Sequence, residues 1–249
     1  AEWSHMGVLQ NFGPILKNDT YSSHLYTATS VSGYRFNEEG KRYGDESLDV
    51  SNFPFSGNQM QQQKASYSIA SEAQIQQWAT AGGALGGGML LNGLAPLDKL
   101  QEQLNRELES SDPQVVRCET LDDVAAAANV DAETLKADIA HYNELCAGGE
   151  DTDFMKPAPF LIPVDENGPY YLFIHKIGVF STCDGIKVNE NAQVLTASGE
   201  VIPGLFAGGT DAGGLLGDAY DASIAPASTQ AWCVYCGRTS ARYAAENLI

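Results

Sequence analysis

The stretch from Val201 to Ile249, VIPGLFAGGTDAGGLLGDAYDASIAPASTQAWCVYCGRTSARYAAENLI, constrains the fold of this chain more than any other. It opens on a short apolar strand, Gly204-Leu205-Phe206-Ala207, and runs into five glycines between Gly208 and Gly217, a composition that lets backbone approach a ligand closely. Ser228 and Thr229 then stand where they can cap a helix of about eighteen residues, whose first amides and positive dipole end suit an anion or an electron-rich ring. A strand, a glycine loop and a helix N-terminus in succession predict a site for a cofactor-sized ligand.

Composition narrows the class of protein. A chain of 249 residues, 43% hydrophobic and 18% charged, is globular and large enough for one large or two small domains. The net charge of −18, from 14 Lys and Arg against 32 Asp and Glu, excludes a nucleic-acid partner and an anionic membrane surface, both of which need clustered cations. The run from Ala73 to Leu97 is uncharged, but six glycines, Asn92, Pro96 and glutamines that lipid would leave unsatisfied argue against a membrane span, and it reads as a loop and turn inside a soluble domain. Five cysteines without a regular framework suit a reducing compartment or buried thiols. Cys233 and Cys236 have CxxC spacing inside the predicted last helix, and no second Cys or His pair completes a zinc site, so both read as buried helix thiols.

Upstream, Val31 to Tyr43 predicts a strand, a turn at Asn37-Glu38-Glu39-Gly40 with glycine in left-handed geometry, and a returning strand. Ser47 to Gln63 is polar, contains Pro54 and Gly57, and reads as a loop; Tyr67 to Ile69 predicts a short strand and Glu72 to Ala79 a short helix. Leucines at 97, 100, 104 and 108 follow helical spacing with one buried face. Thr120-Leu121-Asp122-Asp123 and Asp131-Ala132-Glu133-Thr134 are helix starts, the second helix carrying Leu135, Ile139 and Tyr142 on one face and stopping at Gly148-Gly149. His141 on that helix reads as structural or solvent-facing. Tyr170 to His175, Gly185 to Val188 and Ala192 to Leu195 read as strands, with a turn at Asn189-Glu190-Asn191.

Taken in order, these pieces resemble a known family. IPGLFAGG, the glycine loop and a helix ending in Gly237, Arg238 and Ala241 are similar to the C-terminal end of the FAD-dependent fumarate reductase and succinate dehydrogenase-like flavoproteins, which include the 3-ketosteroid dehydrogenases. The hairpin Asn37 to Tyr43, the helical pair from Thr120 to Ala147 and the stretch GPYYLFIHKIGVFSTCDGIKVNENAQVLTASGEVIPGLF fall in that family's order, so the resemblance covers most of the chain. It implies an α+β fold: a substrate-capping domain of helices and a small sheet over residues 10–182, and an incomplete C-terminal piece of a Rossmann-like FAD-binding domain over 183–249, with residues 1–9 as the exit from that domain. No G-x-G-x-x-G occurs in the sequence, although the family's ADP-binding half depends on it, and the expectation is that the chain starts inside a larger protein whose N-terminal FAD-binding half is missing.

The resemblance also implies site residues. Gly208, Gly209 and Thr210 take the positions touching the ribityl and ribose region of FAD, while Ser228 and Thr229 open the helix that points at the flavin's pyrimidine end, where a positive field stabilises the reduced anion. Fumarate reductases bind their dicarboxylate with two histidines and an arginine and deliver the proton with a second arginine; those positions fall on Phe12, Ser181, Ile224 and Val50, with Tyr26 and Thr29 nearest the proton relay. A clamp without arginine or histidine forfeits its charge-assisted bonds, which implies a small-molecule substrate less anionic and more aromatic or apolar than fumarate. The catalytic tyrosine of the 3-ketosteroid dehydrogenases falls near Ser223, and Tyr220, three residues away, becomes the candidate acid, since a phenol with a pKa near 10 acts as one only when polarised.

The expected function is therefore part of an FAD-dependent oxidoreductase that reduces or desaturates an activated carbon–carbon bond, with an unidentified electron donor, in a bacterial cytoplasm or cell envelope. Two alternatives stand beside it: a capping or interaction module with no catalysis of its own, and a 3-ketosteroid dehydrogenase-like enzyme.

Overall fold

The computed structural model describes residues 8–11, 15–19, 23–29, 33–83, 95–176, 178–182, 185–215 and 225–248. Its elements begin with β1 (Val8–Asn11), α1 (His24–Thr29), β2 (Tyr34–Asn37), α2 (Leu48–Ser51), α3 (Phe53–Gln61), β3 (Ser66–Ser71) and α4 (Glu72–Thr80). There follow α5 (Leu100–Leu108), β4 (Val115–Cys118), α6 (Leu121–Ala128), α7 (Ala132–Gly148) and β5 (Tyr170–His175). The chain closes with β6 (Gly178–Thr182), β7 (Gln193–Leu195), β8 (Val201–Phe206) and α8 (Ser228–Asn247). The fold is mixed helix and sheet and divides into two compact units: Phe12–Val50 with Ser56–Ile177, and Ala1–Asn11 with Ser51–Phe55 and Gly178–Ile249.

The first unit is built on a four-stranded antiparallel sheet in the order β2-β3-β5-β4. Helices cover both faces, which explains why the central strand β5 reads as an almost unbroken apolar run. Successive side chains alternate between faces, so Tyr171 and Phe173 join Leu25, Ile75, Trp78, Leu100 and Leu104 from α1, α4 and α5. Tyr170 and Leu172 join Val124, Leu135, Ile139 and Tyr142 from α6 and α7 on the other side. The leucine periodicity is accounted for: Leu97, Leu100 and Leu104 are buried and Leu108 packs at the edge, although the helix itself begins only at Leu100.

Local signals set the helix ends. Thr120 caps α6 in a reciprocal capping box with Asp123, Asp131 caps α7 through the Thr134 amide, and α7 ends at Gly149 in left-handed geometry. Gly40 takes the left-handed position predicted in the β2 turn, and Phe36 bridges Arg42 on the returning side. His141 is half-exposed and pairs with Asp153 at 2.9 Å, a surface contact. The stretch 47–63 corrects the expectation of a loop: it holds α2 and α3, with Pro54 in the first turn of α3, where a missing N–H costs nothing. What holds these two helices is a buried side-chain triangle. Arg35 pairs with Asp49, Ser56 donates to Asp49, and Arg35 Nη1 donates to Ser56 Oγ at 3.4 Å.

A second buried cluster pins the hairpin to α7. Arg42 donates to both Glu46 oxygens at 2.9 Å and to Asp151 Oδ2 at 2.6 Å, and its guanidinium lies 4.7 Å from the Tyr142 ring centre. Lys156 Nζ reaches Glu46 Oε2 at 3.1 Å, Tyr142 Oη at 3.0 Å and the Gly33 carbonyl at 3.1 Å. Two cations and two anions cancel in a site almost closed to water. Burial alone would raise Asp151, but the Arg42 hydrogen bond and the Phe154 and Asp153 amides hold its carboxyl at about 2.

In the second unit β1 pairs with β6 and β7 with β8, each antiparallel with a register shift. β6 and β4 were not anticipated. In place of the expected strand at 185–188, Ile186 and Val188 make isolated bridges to Ala212 and Val194. The uncharged run near 73–97 is helical to Thr80, and 84–94 lies outside the described residues. Among the described residues no helix is long and apolar enough to cross a membrane.

Two predictions follow the packing. Leu104→Ala empties a fully buried site and should lower unfolding free energy by about 2–5 kcal/mol in urea titration. Because the folded carboxyl of Asp151 is depressed below its ordinary value near 4, its contribution is present above pH ~4 and lost as pH falls toward ~2. Asp151→Asn should therefore be less stable than the parent at neutral pH, and the gap between their urea midpoints should shrink through that acid window.

Candidate cofactor site

The glycine loop and the last helix meet as the sequence order predicts. β8 ends at Phe206, Gly208 leads into a 3₁₀ turn over Gly209–Asp211, and α8 packs across that turn. A cavity of about 470 Å³ lies between them, lined by Phe206, Ala207, Gly208, Gly209, Thr210 and the α8 residues Cys233, Cys236, Gly237 and Ser240. The four helix residues stand at i, i+3, i+4 and i+7, one face of the helix, a pattern legible in the sequence once the helix is assigned. Trp232 Nε1 donates to the Ala212 carbonyl at 2.9 Å, and Thr182 Oγ1 donates to the Thr210 carbonyl at 2.6 Å, which ties β6 to the same turn.

Gly208 and Gly209 have a second reason to lack side chains. A Cβ at position 208 would lie 2.8 Å from Cys236 Cβ, and one at 209, where φ is +66°, would lie 3.1 Å from Cys233 Sγ. The glycines let α8 sit directly on the loop backbone. The Gly209 amide hydrogen-bonds the Cys236 sulfur; burial nonetheless raises that thiol above its ordinary value. The expectation that both cysteines are buried holds for Cys236 alone, since Cys233 is exposed. Cys233, in the second turn of α8, lines the open cavity rather than a closed core.

The helix start differs from the expected cap. Ala227, in left-handed geometry at φ 62°, is the N-cap, and Ser228 is the first helical residue with no capping bond from its side chain. Ser228 Oγ is shielded from solvent and has no hydrogen-bond partner among the described residues. An orphan hydroxyl beside the uncapped start of a twenty-residue helix is suited to a polar ligand group such as a flavin pyrimidine edge. Ser228 and Thr229 do not line the cavity that holds Gly208, Gly209 and Thr210.

The substrate-side candidates are placed less fully. Phe12, Tyr220 and Ile224 lie outside the described residues; Val50 is in α2 and Ser181 in β6, paired through its backbone with Leu9. Among the described residues no cluster of three His, Cys, Asp or Glu could hold a metal ion.

Such a fold and loop define a flavoprotein, and the chain belongs to the FAD binding domain family, which matches residues 23–223. It is 32% identical over 247 residues to the vinyl phenol reductase of Lactiplantibacillus plantarum, covering 96% of this chain and 50% of that protein. It is 36% identical over 88 residues to the cytochrome fumarate reductase of Shewanella frigidimarina, covering 35% of this chain and 15% of that one. The fold is shared with the 3-ketosteroid Δ1-dehydrogenase of Sterolibacterium denitrificans at a TM-score of 0.66 and 19% identity, over 95% of this chain and 43% of the other. The chain spans half or less of each of these proteins. These similarities agree with the fumarate reductase-like resemblance read from the sequence, and FAD is the family's cofactor.

The helix–loop contact is directly testable. Gly208→Ala forces Cβ into Cys236 and should cost about 1–3 kcal/mol, the range for overpacking. Faster amide exchange along α8 in the variant is the expected readout.

Proposed function

We propose that this chain is the C-terminal part of an FAD-dependent oxidoreductase that reduces an activated carbon–carbon double bond next to an aromatic or apolar body. The observation that carries the reading is the continuous alignment with a vinyl phenol reductase over 96% of the chain. The unit built on β2, β3, β5 and β4 is read as the substrate cap, and the unit holding β8, the glycine turn and α8 as the end of the FAD-binding domain.

When bound, FAD supplies the two-electron transfer. The chain's own residues have narrower tasks. The backbone of Gly208, Gly209 and Thr210 gives a close wall for the cofactor's sugar chain, and Ser228 with the first amides of α8 offers donors to the pyrimidine edge. On the substrate side Phe12, Ser181 and Ile224 fall at the positions of a charged dicarboxylate clamp and Val50 at that of the proton-donating arginine, so loss of those charges favours an uncharged ring. Tyr220 is assigned the proton delivered to the reduced carbon. The exposed apolar side chains of Val201 and Leu205 on β8 and Val234 on α8 support a further segment of the protein covering them, the N-terminal FAD-binding half.

The isolated chain should therefore lack stoichiometric flavin after purification, because the ADP-binding motif that supplies much of the cofactor's affinity is absent from it. A yellow, fully loaded preparation would contradict the division proposed here. With the full-length protein and a reduced dye as donor, a panel of hydroxystyrenes, cinnamates, enones and fumarate should rank fumarate last. Loss of a bidentate carboxylate partner costs roughly two to four orders of magnitude in rate. Fumarate as best substrate would overturn the pocket reading, and Tyr220→Phe should lower kcat with KM nearly unchanged, since its hydroxyl acts in the transition state.

A further inference from the structure

We infer that Arg35, Asp49 and Ser56 are positioning residues that clasp the neck of the chain segment 50–55 and so set where that segment meets the ring of the substrate. The segment reads Val-Ser-Asn-Phe-Pro-Phe and has no charged residue. It holds the end of α2 and the start of α3. Within it Ser51–Phe55 groups with the second unit, while the chain up to Val50 and again from Ser56 belongs to the first. The chain thus leaves the first unit and re-enters it within a few residues, and Asp49 and Ser56 stand on the two sides of that excursion. Asn52 inside it carries a shielded Oδ1 with no hydrogen-bond partner among the described residues, an acceptor that a ring hydroxyl would satisfy. This role deepens the proposed function and rests on its placement of Val50 on the substrate side.

The clasp is built from buried polar groups. The side chains of Asp49 and Ser56 are closed to water and that of Arg35 nearly so. Ser56 Oγ donates to Asp49 Oδ1 across the neck, and Arg35 pairs with Asp49 through Nη2 while its Nη1 donates to Ser56 Oγ at 3.4 Å. Arg35 is itself fixed, because it lies in β2 and its backbone N–H donates to Glu46 Oε1 at 3.3 Å. Ser68, its partner on β3, bonds His175 Nε2 at 2.6 Å. Burial first, and Arg35 second, hold that imidazole well below its ordinary pKa, so it adds no second cation beside the guanidinium.

Stability alone does not account for this choice of residues. Apolar side chains of similar volume would join two helices as firmly, since a buried ion pair repays little more than its own desolvation. What a guanidinium adds is direction: its planar fork meets a carboxylate and a hydroxyl in a fixed plane. Direction matters here because α2 is one turn of helix, too short to keep its own shape in water. The path of the chain at 50–55 is therefore set by what grips its two ends.

The test uses the full-length flavoprotein with a reduced dye as donor and a hydroxystyrene as acceptor. Arg35→Lys keeps the charge and removes the fork. Its KM should rise about tenfold with kcat within about twofold of the parent, since a displaced wall weakens ground-state and transition-state binding alike. Hydrogen exchange should quicken at the amides of 50–55 and stay unchanged in β3 and β5. The triple variant Arg35→Met, Asp49→Leu, Ser56→Ala strands no charge, so it should fold as stably as the parent yet keep the raised KM. A merely structural clasp gives the opposite pattern: kcat falling with the folded fraction at unchanged KM, and parental kinetics in the triple variant. Either result would overturn the inference alone. A parent that reduces no ring-bearing alkene would overturn the proposed function, and this inference with it.

Discussion

The first unit depends on the burial of four charges against one another. Glu46 accepts from both Arg42 and Lys156, and Asp151 takes the remaining face of Arg42. Burial alone would raise the Glu46 carboxyl, but Lys156 and Arg42 hold it below the usual range. The four residues come from the β2 hairpin, the turn before α2 and the segment after α7, so the cluster ties three separate stretches of the chain together. Removing one member strands an unpaired charge in a site closed to water, the costly way to break such a network at about 3–5 kcal/mol. Replacement of all members by apolar groups is a different and milder change, which marks the cluster as a specifier of arrangement.

Much of this unit was legible in the sequence because its signals are local. Thr120 with Asp123, Asp131 with Thr134, and the leucine spacing through Leu104 each act within a turn or two of helix. The stretch from Ser47 to Gln63 was not legible, because its helices are held by Arg35, contributed by β2, through Asp49 and Ser56. No window of the sequence contains that contact, while Pro54 and Gly57 argue locally for a loop. β4 has the same character: Val115 to Cys118 is too short to show alternation, and its strand exists because β5 offers an open edge.

The site was legible in its order and not in its detail. Strand, glycine turn and helix follow as read, yet the cap falls on Ala227 rather than on Ser228. The chain enters α8 from a left-handed residue directly after Pro226, and this leaves the serine hydroxyl without a backbone partner. Composition alone would place a serine there as a cap, and only the dihedral at 227 shows it free for another role.

Glycine after a strand has two physical uses that sequence cannot separate: letting a ligand approach the backbone, and letting another element do so. At Gly208 and Gly209 the second use is visible, since any side chain would meet the cysteines of α8. The two uses meet at one place, since the cavity lined by Gly208, Gly209 and Thr210 is lined also by Cys233 and Cys236 of α8. Close seating of the helix fixes the backbone of the turn, and a fixed backbone presents its amides to a ligand without further ordering cost. The same seating brings an exposed thiol and a buried thiol to the edge of the turn.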